Sequence, residues 1–308
     1  MRQTLTDRTV LVTGGAGFVG SHLTDALVSD NDVRVLDDLS SGRRENVPAG
    51  AELIEGDVGR PETLGRAIEG VDVVFHQAAM VSVPESVARP LDCHRTNTDA
   101  TARLLEFAHR ANARVVLASS AAVYGEPGSI PVAEDASTDP ASPYGVSKLH
   151  GDHLAEVYAG QYGLDTVSLR YFNVYGARAN GGVVLAFLQR ALDEEPLQIH
   201  GDGHQTRDFV HVSDVVRANL RAATTDHTGE VFNVGTGRQV SIRTLAERVC
   251  DVVEADGTIT HAEEREGDVR HSLAAVGRAR AKLGFEASVD LDDGLRRLAT
   301  HLRRRRSS

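Results

Sequence analysis

Seven short apolar runs rich in β-branched residues recur along the chain, at Thr9–Thr13, Val33–Leu36, Glu52–Ile54, Val71–Phe75, Arg114–Ala118, Thr166–Leu169 and Val231–Val234. Continuous runs of this kind, without strict alternation, mark strands covered on both faces. Between most of them the apolar spacing turns helical, as in Ser21–Ser29, Thr98–Ala111 and Tyr144–Tyr162. Strands alternating with helices predict an α/β fold, a doubly wound parallel sheet with helices on either side. Beyond about residue 170 the pattern loosens into the loops "ARANGG" and "HGDGHQTRD", with helices expected over Val183–Leu192 and Ile242–Val253. The expected organisation is a main part over 1–170 and a smaller C-terminal part over 171–308. Within the latter, 208–236, which contains the strand-like "VFNVGTG", returns to the main sheet. Ligands of such folds sit in the crevice at the carboxyl ends of the strands.

Composition narrows the function classes. The 308 residues carry a formal charge of −11, which disfavours a nucleic-acid partner, since phosphate backbones are held by basic patches. The C-terminal "RRRRSS" is the exception and reads as a solvated, mobile charge run. No apolar run reaches a membrane span, and "MRQTLTDR" lacks the regions of a secretory signal, so a cytoplasmic protein without membrane contact is expected. Cys93 and Cys250 stand far apart and read as buried thiols, with neither a disulfide framework nor a zinc spacing. His150 and His153 lack a third ligand at metal-binding spacing, so no metal is expected.

The first strand runs into "TGGAGFVGSHL", in which Gly14, Gly17 and Gly20 precede a helix. Glycines there permit a tight turn and let backbone N–H groups and the helix N-terminus approach a pyrophosphate, the arrangement of a Rossmann dinucleotide site. Asp37, about 20 residues on at the end of the second strand, is placed to accept the adenosine ribose hydroxyls, which favours NAD. Arg43 and Arg44 are the counter-indication, since they could meet the 2′-phosphate of NADP. Phe18 and Val19 in the fingerprint, Asp57 and Val58 after the third strand, and Ala78 in "VFHQAA" complete the expected cofactor wall, Asp57 being equally suited to a plain turn.

"SPYGVSK" has the chemistry of a helix start, with Ser142 as N-cap and Pro143 in the first turn. Tyr144 and Lys148, four apart, then share a helix face. "VVLASSAAVYG" brings Ser119 and Ser120 to the carboxyl edge of the sheet. A tyrosine acting as base near neutrality must titrate well below its ordinary value of about 10. Lys148, a positively charged nicotinamide and the helix N-terminus are each expected to push it down.

Together "TGGAGFVG", "DDLSSGRREN", "SSAAVYG", "YGVSK", "LRYFNVYG", "GDGHQTRDFVHVSDV" and "REGDVR" resemble the extended short-chain dehydrogenase/reductases, and among them the UDP-glucose 4-epimerases, over nearly the whole chain. The resemblance implies NAD-dependent epimerisation of a UDP-hexose at C4 through a 4-keto sugar, on UDP-glucose and UDP-galactose or their N-acetylated counterparts. It implies Ser120, Tyr144 and Lys148 as the catalytic set, with Tyr144 and Lys148 also on the cofactor and Asn97 supporting the nicotinamide end. Asn173, Arg207, Arg265 and Asp268, with Ser120 and Tyr144, are the implied sugar and UDP contacts. Related dehydratases carry an acidic residue just after the catalytic Ser or Thr, where this chain has Ala121 and Ala122, which argues against elimination. Ser272, small where the family's sugar gate is often aromatic, leaves room for an N-acetyl group, and Gln77 stands where the family usually has an apolar residue. A homodimer is implied through the helices near Thr98–Ala111 and Tyr144–Tyr162, with Leu104, Leu149 and Val157 as candidate contacts. The competing readings are a UDP-glucuronate 4-epimerase, a reductase or a dTDP-sugar enzyme on the same scaffold, and a non-catalytic NAD-binding regulator.

Overall fold

A computed structural model describes residues 5–264 and 269–307. Its centre is a seven-stranded, all-parallel sheet of β1 (Thr9–Thr13), β2 (Asp32–Asp37), β3 (Glu52–Glu55), β4 (Val73–His76), β5 (Arg114–Ser120), β6 (Thr166–Tyr171) and β7 (Glu230–Val234). The strand order is β7-β6-β5-β4-β1-β2-β3. The chain starts in the middle, runs out to β3 and returns on the other side of β1. The order therefore reverses between β1 and β4, where a crevice opens at the strand ends.

Alternate strand residues face opposite layers, the two-residue period of a strand. Val10, Val12, Phe75, Val116, Leu169 and Phe232 are buried towards the layer that holds helices Phe18–Leu27 and Val212–Thr224. Leu11, Leu36, Val74, Val115 and Leu117 are buried towards helices Pro61–Ile68, Ala100–Ala111 and Pro143–Tyr162. Burial on both faces explains why these strands read as unbroken apolar runs. A further core, built on Phe187, Leu188, Ile199, Leu245, Val249 and Leu298, joins helices Val183–Leu192, Ile242–Val253 and Leu291–Ser307. The parallel pair Leu197–His200 and Ile259–Ala262 lies against it.

Three details differ from expectation. The first helix begins at Phe18 instead of Ser21, because Gly17 ends the loop in extended conformation and the helix starts at once. The segment ahead of Ala100 is a π-helical turn over His94–Asp99 that continues a short helix, Pro90–Cys93. The C-terminal arginines are not a mobile tail. They close helix Leu291–Ser307, and Arg306 donates to the Gln189 and Leu192 carbonyls and pairs with Asp193. A cationic side chain thus caps the acceptor end of a neighbouring helix. Cys93 is buried and Cys250 only partly so, and they form no disulfide.

Candidate active site

A cleft of about 330 Å³ runs over the carboxyl ends of β1, β2, β4 and β5. At one end the fingerprint loop supplies Gly14, Gly17, Phe18, Val19 and Gly20. Gly14 adopts φ +68, and a Cβ there would lie 2.6 Å from the Ala78 nitrogen. Crossing of the two backbones, more than flexibility, is what this glycine serves. A Cβ on Gly20 would stand 2.1 Å from the Gly14 carbonyl oxygen, so the helix start is pressed directly onto the turn. Gly17 differs, since a Cβ there meets only the Gly14 oxygen at 3.2 Å. The loop leaves the helix N-terminus uncovered towards the cleft, which suits an anion such as a pyrophosphate.

Asp37, at the end of β2, is buried on the cleft wall. Its Oδ2 accepts from the Ala16 N–H at 2.9 Å and its Oδ1 from the Leu39 N–H at 2.8 Å. Burial pushes its carboxyl above the ordinary value, against these two bonds that favour the charged form. The remaining lone pairs can still accept hydroxyl groups. Arg43 pairs with Glu45 and Arg44 with Glu55, so both guanidinium groups already have carboxylate partners. Asp57 and Val58 line the wall, although Asp57 also holds its own turn through the Gly59 N–H at 2.7 Å. Ala78 lies on the opposite side.

At the other end Ser120, Tyr144 and Lys148 converge. The helix carrying the last two is started as its sequence suggested: Ser142 accepts from the Gly145 N–H at 3.1 Å and Pro143 opens the first turn. Ser120 Oγ accepts from the Ala122 N–H at 3.1 Å, which starts a 3₁₀ turn over Ala121–Tyr124, and Ser120 and Tyr144 both line the cleft. Lys148 Nζ donates to the Ala118 carbonyl at 2.8 Å and lies 5.9 Å from the Tyr144 ring centre. Burial pushes the Lys148 ammonium down to about 8, against the attraction of Asp152.

The downward push expected for Tyr144 includes the charge of a bound nicotinamide. In the protein alone, burial pushes its phenol up, and the Ser120 hydroxyl opposes this without prevailing. Desolvation penalises the phenolate, and the positive charge of a bound nicotinamide acts in the opposite direction.

Gly145, between the two residues, explains the tightness of the site. A Cβ there would lie 2.7 Å from the Ala122 carbonyl oxygen and 2.9 Å from the Pro140 Cβ. Gly145→Ala is therefore expected to push this helix away from the Ser120 turn, costing about 1–3 kcal/mol of stability. It is also expected to lower kcat at least about tenfold, as a small displacement of reacting groups does. Thermal melts and steady-state rates on the same preparation check both.

Several predicted residues fall elsewhere. Asn97 is buried next to Thr96, which lines the cleft. Its Oδ1 accepts from the Met80 N–H at 2.8 Å, while its Nδ2 donates to the Met80 carbonyl and to Ser147 Oγ, both at 3.0 Å. It fastens the loop after β4 to the Tyr144 helix. Asn173 is exposed on the short strand Asn173–Tyr175 and does not line this cleft. Arg207 Nη1 donates to the Thr206 carbonyl at 2.8 Å, also outside the cleft. Arg265 and Asp268 lie outside the described residues. Among the described residues no three His, Cys, Asp or Glu side chains are grouped to hold a metal ion.

Sequence reasoning missed Tyr171, Thr96 and Asn180, which line the cleft, and had no account of Gln77. Gln77 Nε2 reaches Tyr171 Oη at 3.2 Å and Asn219 Oδ1 at 3.3 Å, and Asn219 Nδ2 donates to Tyr171 Oη at 2.8 Å. The glutamine is thus one corner of a polar triangle near the end of the cleft that holds Ser120, Tyr144 and Lys148. Below it His76 lies between the hydroxyls of Thr13 and Thr101, at 2.7 and 3.0 Å, and burial pushes it down to about 3. It is a neutral strut.

Residues 10–235 match the model of the NAD dependent epimerase/dehydratase family. The chain belongs to that family. It is 40% identical to a UDP-glucose 4-epimerase of Azospirillum brasilense, over 96% of this chain and 92% of the relative. In structure it is similar to the UDP-glucose 4-epimerase of Thermotoga maritima solved with UDP-glucose, with TM-score 0.93, 37% identity and coverage of 96% and 99% of the two chains. It is equally similar to the UDP-N-acetylglucosamine 4-epimerase of Methanobrevibacter ruminantium M1 solved with UDP-N-acetylmuramic acid, with TM-score 0.94, 37% identity and coverage of 98% and 100%. Family membership gives the cleft an NAD cofactor, and the uncovered helix start, the buried Asp37 and the glycine cradle are features that fit it.

Proposed function

We propose that the protein epimerises a UDP-hexose at C4, with NAD held in the cleft and Ser120, Tyr144 and Lys148 acting at its far end. The observation that carries this is the convergence of those three side chains beside the dinucleotide wall, with Ala121 and Ala122 offering no second acid. NAD supplies the acceptor and later the donor of the C4 hydride, so no net oxidation results. Tyr144 takes the proton of the 4-hydroxyl and returns it at the end. Ser120 orients that hydroxyl through its own, and Lys148 favours the phenolate by its charge. Gly14, Gly17, Phe18, Val19, Gly20, Asp37, Asp57, Val58 and Ala78 hold the dinucleotide, and Asn97 braces the wall from behind. Asn173, Arg207, Arg265 and Asp268 are assigned to the UDP-sugar.

The test is a panel of nucleotide sugars offered to the purified protein. Interconversion of UDP-glucose and UDP-galactose without added cofactor is expected. Stoichiometric consumption of NADH or NADPH instead would identify a reductase and sink the reading. Ser272 favours a second pair, UDP-GlcNAc and UDP-GalNAc, since a small side chain there leaves space for the N-acetyl group.

Because Lys148 holds its proton below about pH 8 and loses it above, kcat is expected to fall as pH rises through that value. A kcat profile from pH 6 to 10 reads this directly.

A cytoplasmic homodimer is part of the proposal. Among the described residues no helix is long and apolar enough to cross a membrane. Val146 and Val157, eleven residues apart on the Tyr144 helix and so on one side of it, are exposed, as are Val87 and Leu91 on the preceding short helices, and they support pairing there. Leu104 is buried in the core and Leu149 packs against the Val123 cluster, so neither is available for it. Light scattering is expected to return twice the 33.0 kDa of one chain, and a monomer would remove the claim.

A further inference from the structure

Arg170, on β6, is nearly fully buried, with its side chain 5% exposed. Its Nε donates to Asp152 Oδ2 at 2.8 Å, and its Nη1 donates to Tyr124 Oη at 2.9 Å and to the Glu134 carbonyl at 3.0 Å. The guanidinium carbon also lies 4.9 Å from the centre of the Tyr124 ring. Tyr124 in turn donates to Asn233 Oδ1 at 2.7 Å, on β7.

The placement of the partners is what matters. Tyr124 is four residues after Ser120, at the end of the 3₁₀ turn that Ser120 caps. Asp152 is four residues after Lys148, one turn along the helix that carries Tyr144 and Lys148. Arg170 pairs with Ser119 in the sheet, beside both elements. A single planar cation therefore grips the two pieces of backbone that deliver the proton acceptor and the orienting hydroxyl, and its fixed fork leaves little freedom between them.

We propose that Arg170 is a positioning residue for the reaction, fastening the Ser120 turn and the Tyr144–Lys148 helix to β6 through Tyr124 and Asp152. This rests on the epimerase reading. Arg170 also neutralises Asp152, whose other oxygen is buried without a hydrogen-bond partner among the described residues. The charged and titratable groups facing Lys148 are Asp152 and Tyr144 from its own helix, Cys93 from Pro90–Cys93, and the neutral His76 from β4. Asp152 favours the charged ammonium, so removing its charge moves the Lys148 titration to lower pH.

The experiment compares the parent with Tyr124→Phe, Asp152→Asn and the double variant Arg170→Met with Asp152→Asn, each as the full chain with its NAD. The double variant removes both buried charges together, which proteins tolerate far better than removing one. Expected is a fall in kcat of about 10- to 100-fold in all three with KM for the UDP-hexose within about threefold, the signature of misplaced reacting groups. The alkaline limb of the kcat profile is expected to move to lower pH in Asp152→Asn and to stay in place in Tyr124→Phe. Thermal melts and bound-NAD content establish folding of each variant. A folded variant set with parental kcat and an unmoved limb in Asp152→Asn overturns the assignment, as does a fall in kcat fully accounted for by the unfolded fraction. Failure of the parent itself to interconvert any UDP-hexose would instead count against the epimerase reading.

Discussion

Tyr144→Phe is expected to lower kcat by about 10²–10⁴-fold, the range that a positioned proton acceptor contributes. The ring stays and only the hydroxyl leaves, so no cavity opens and the helix start on Ser142 and Pro143 is untouched. Lys148 keeps its bond to the Ala118 carbonyl, and the glycine loop lies at the far end of the cleft. NAD content and melting temperature should therefore match the parent. The substitution separates chemistry from binding, since what is lost is only the hydroxyl assigned to take the proton. Turnover near that of the parent would remove Tyr144 as the acceptor and reopen the site.

A larger effect on the cofactor is expected from Gly20→Ala. All three nearest atoms to the added methyl, at 2.1, 2.8 and 2.9 Å, belong to the backbone of Gly14 and Gly15. That backbone has no room to yield. Gly14 is held by the bond from its N–H to the Leu36 carbonyl at 2.8 Å and crosses Ala78 closely on its other side. Strain of at least about 1–3 kcal/mol follows, and borne by the bound state it weakens NAD about 10- to 100-fold. Gly17→Ala is the informative partner. Its methyl meets one backbone oxygen at 3.2 Å and otherwise points into open space, so the fold should persist while the approach of a pyrophosphate is obstructed. Nucleotide released on denaturation measures both. Full NAD content in Gly20→Ala would show that this turn does not hold the cofactor.

What was legible in the sequence was what depends on near neighbours. The seven strands appear where the apolar runs stood, because burial on both faces of a parallel sheet leaves the inner strands no polar face to interrupt the run, while the edge strand Glu52–Glu55 buries only Ile54. The glycine loop and the start of the Tyr144 helix were legible because turns and caps use residues within three or four positions of each other. The spacing of Tyr144 and Lys148 likewise needs only helical geometry.

The tertiary structure alone decided what depends on residues far apart in the chain. That the Asn97 carboxamide bonds Met80 and Ser147, from two other segments, has no trace in its own neighbourhood of the sequence. Gln77 had no partner in sequence because Asn219 comes 142 residues later. The upward push on Tyr144 is a matter of desolvation, which has no local signature. Arg170 is one letter in "LRYFN" until folding brings Tyr124 and Asp152 to it from two other elements. Periodicity sets which residues are buried and which backbone turns, while hydrogen-bond partners and the cost of removing charge from water are set only when distant segments close on one another.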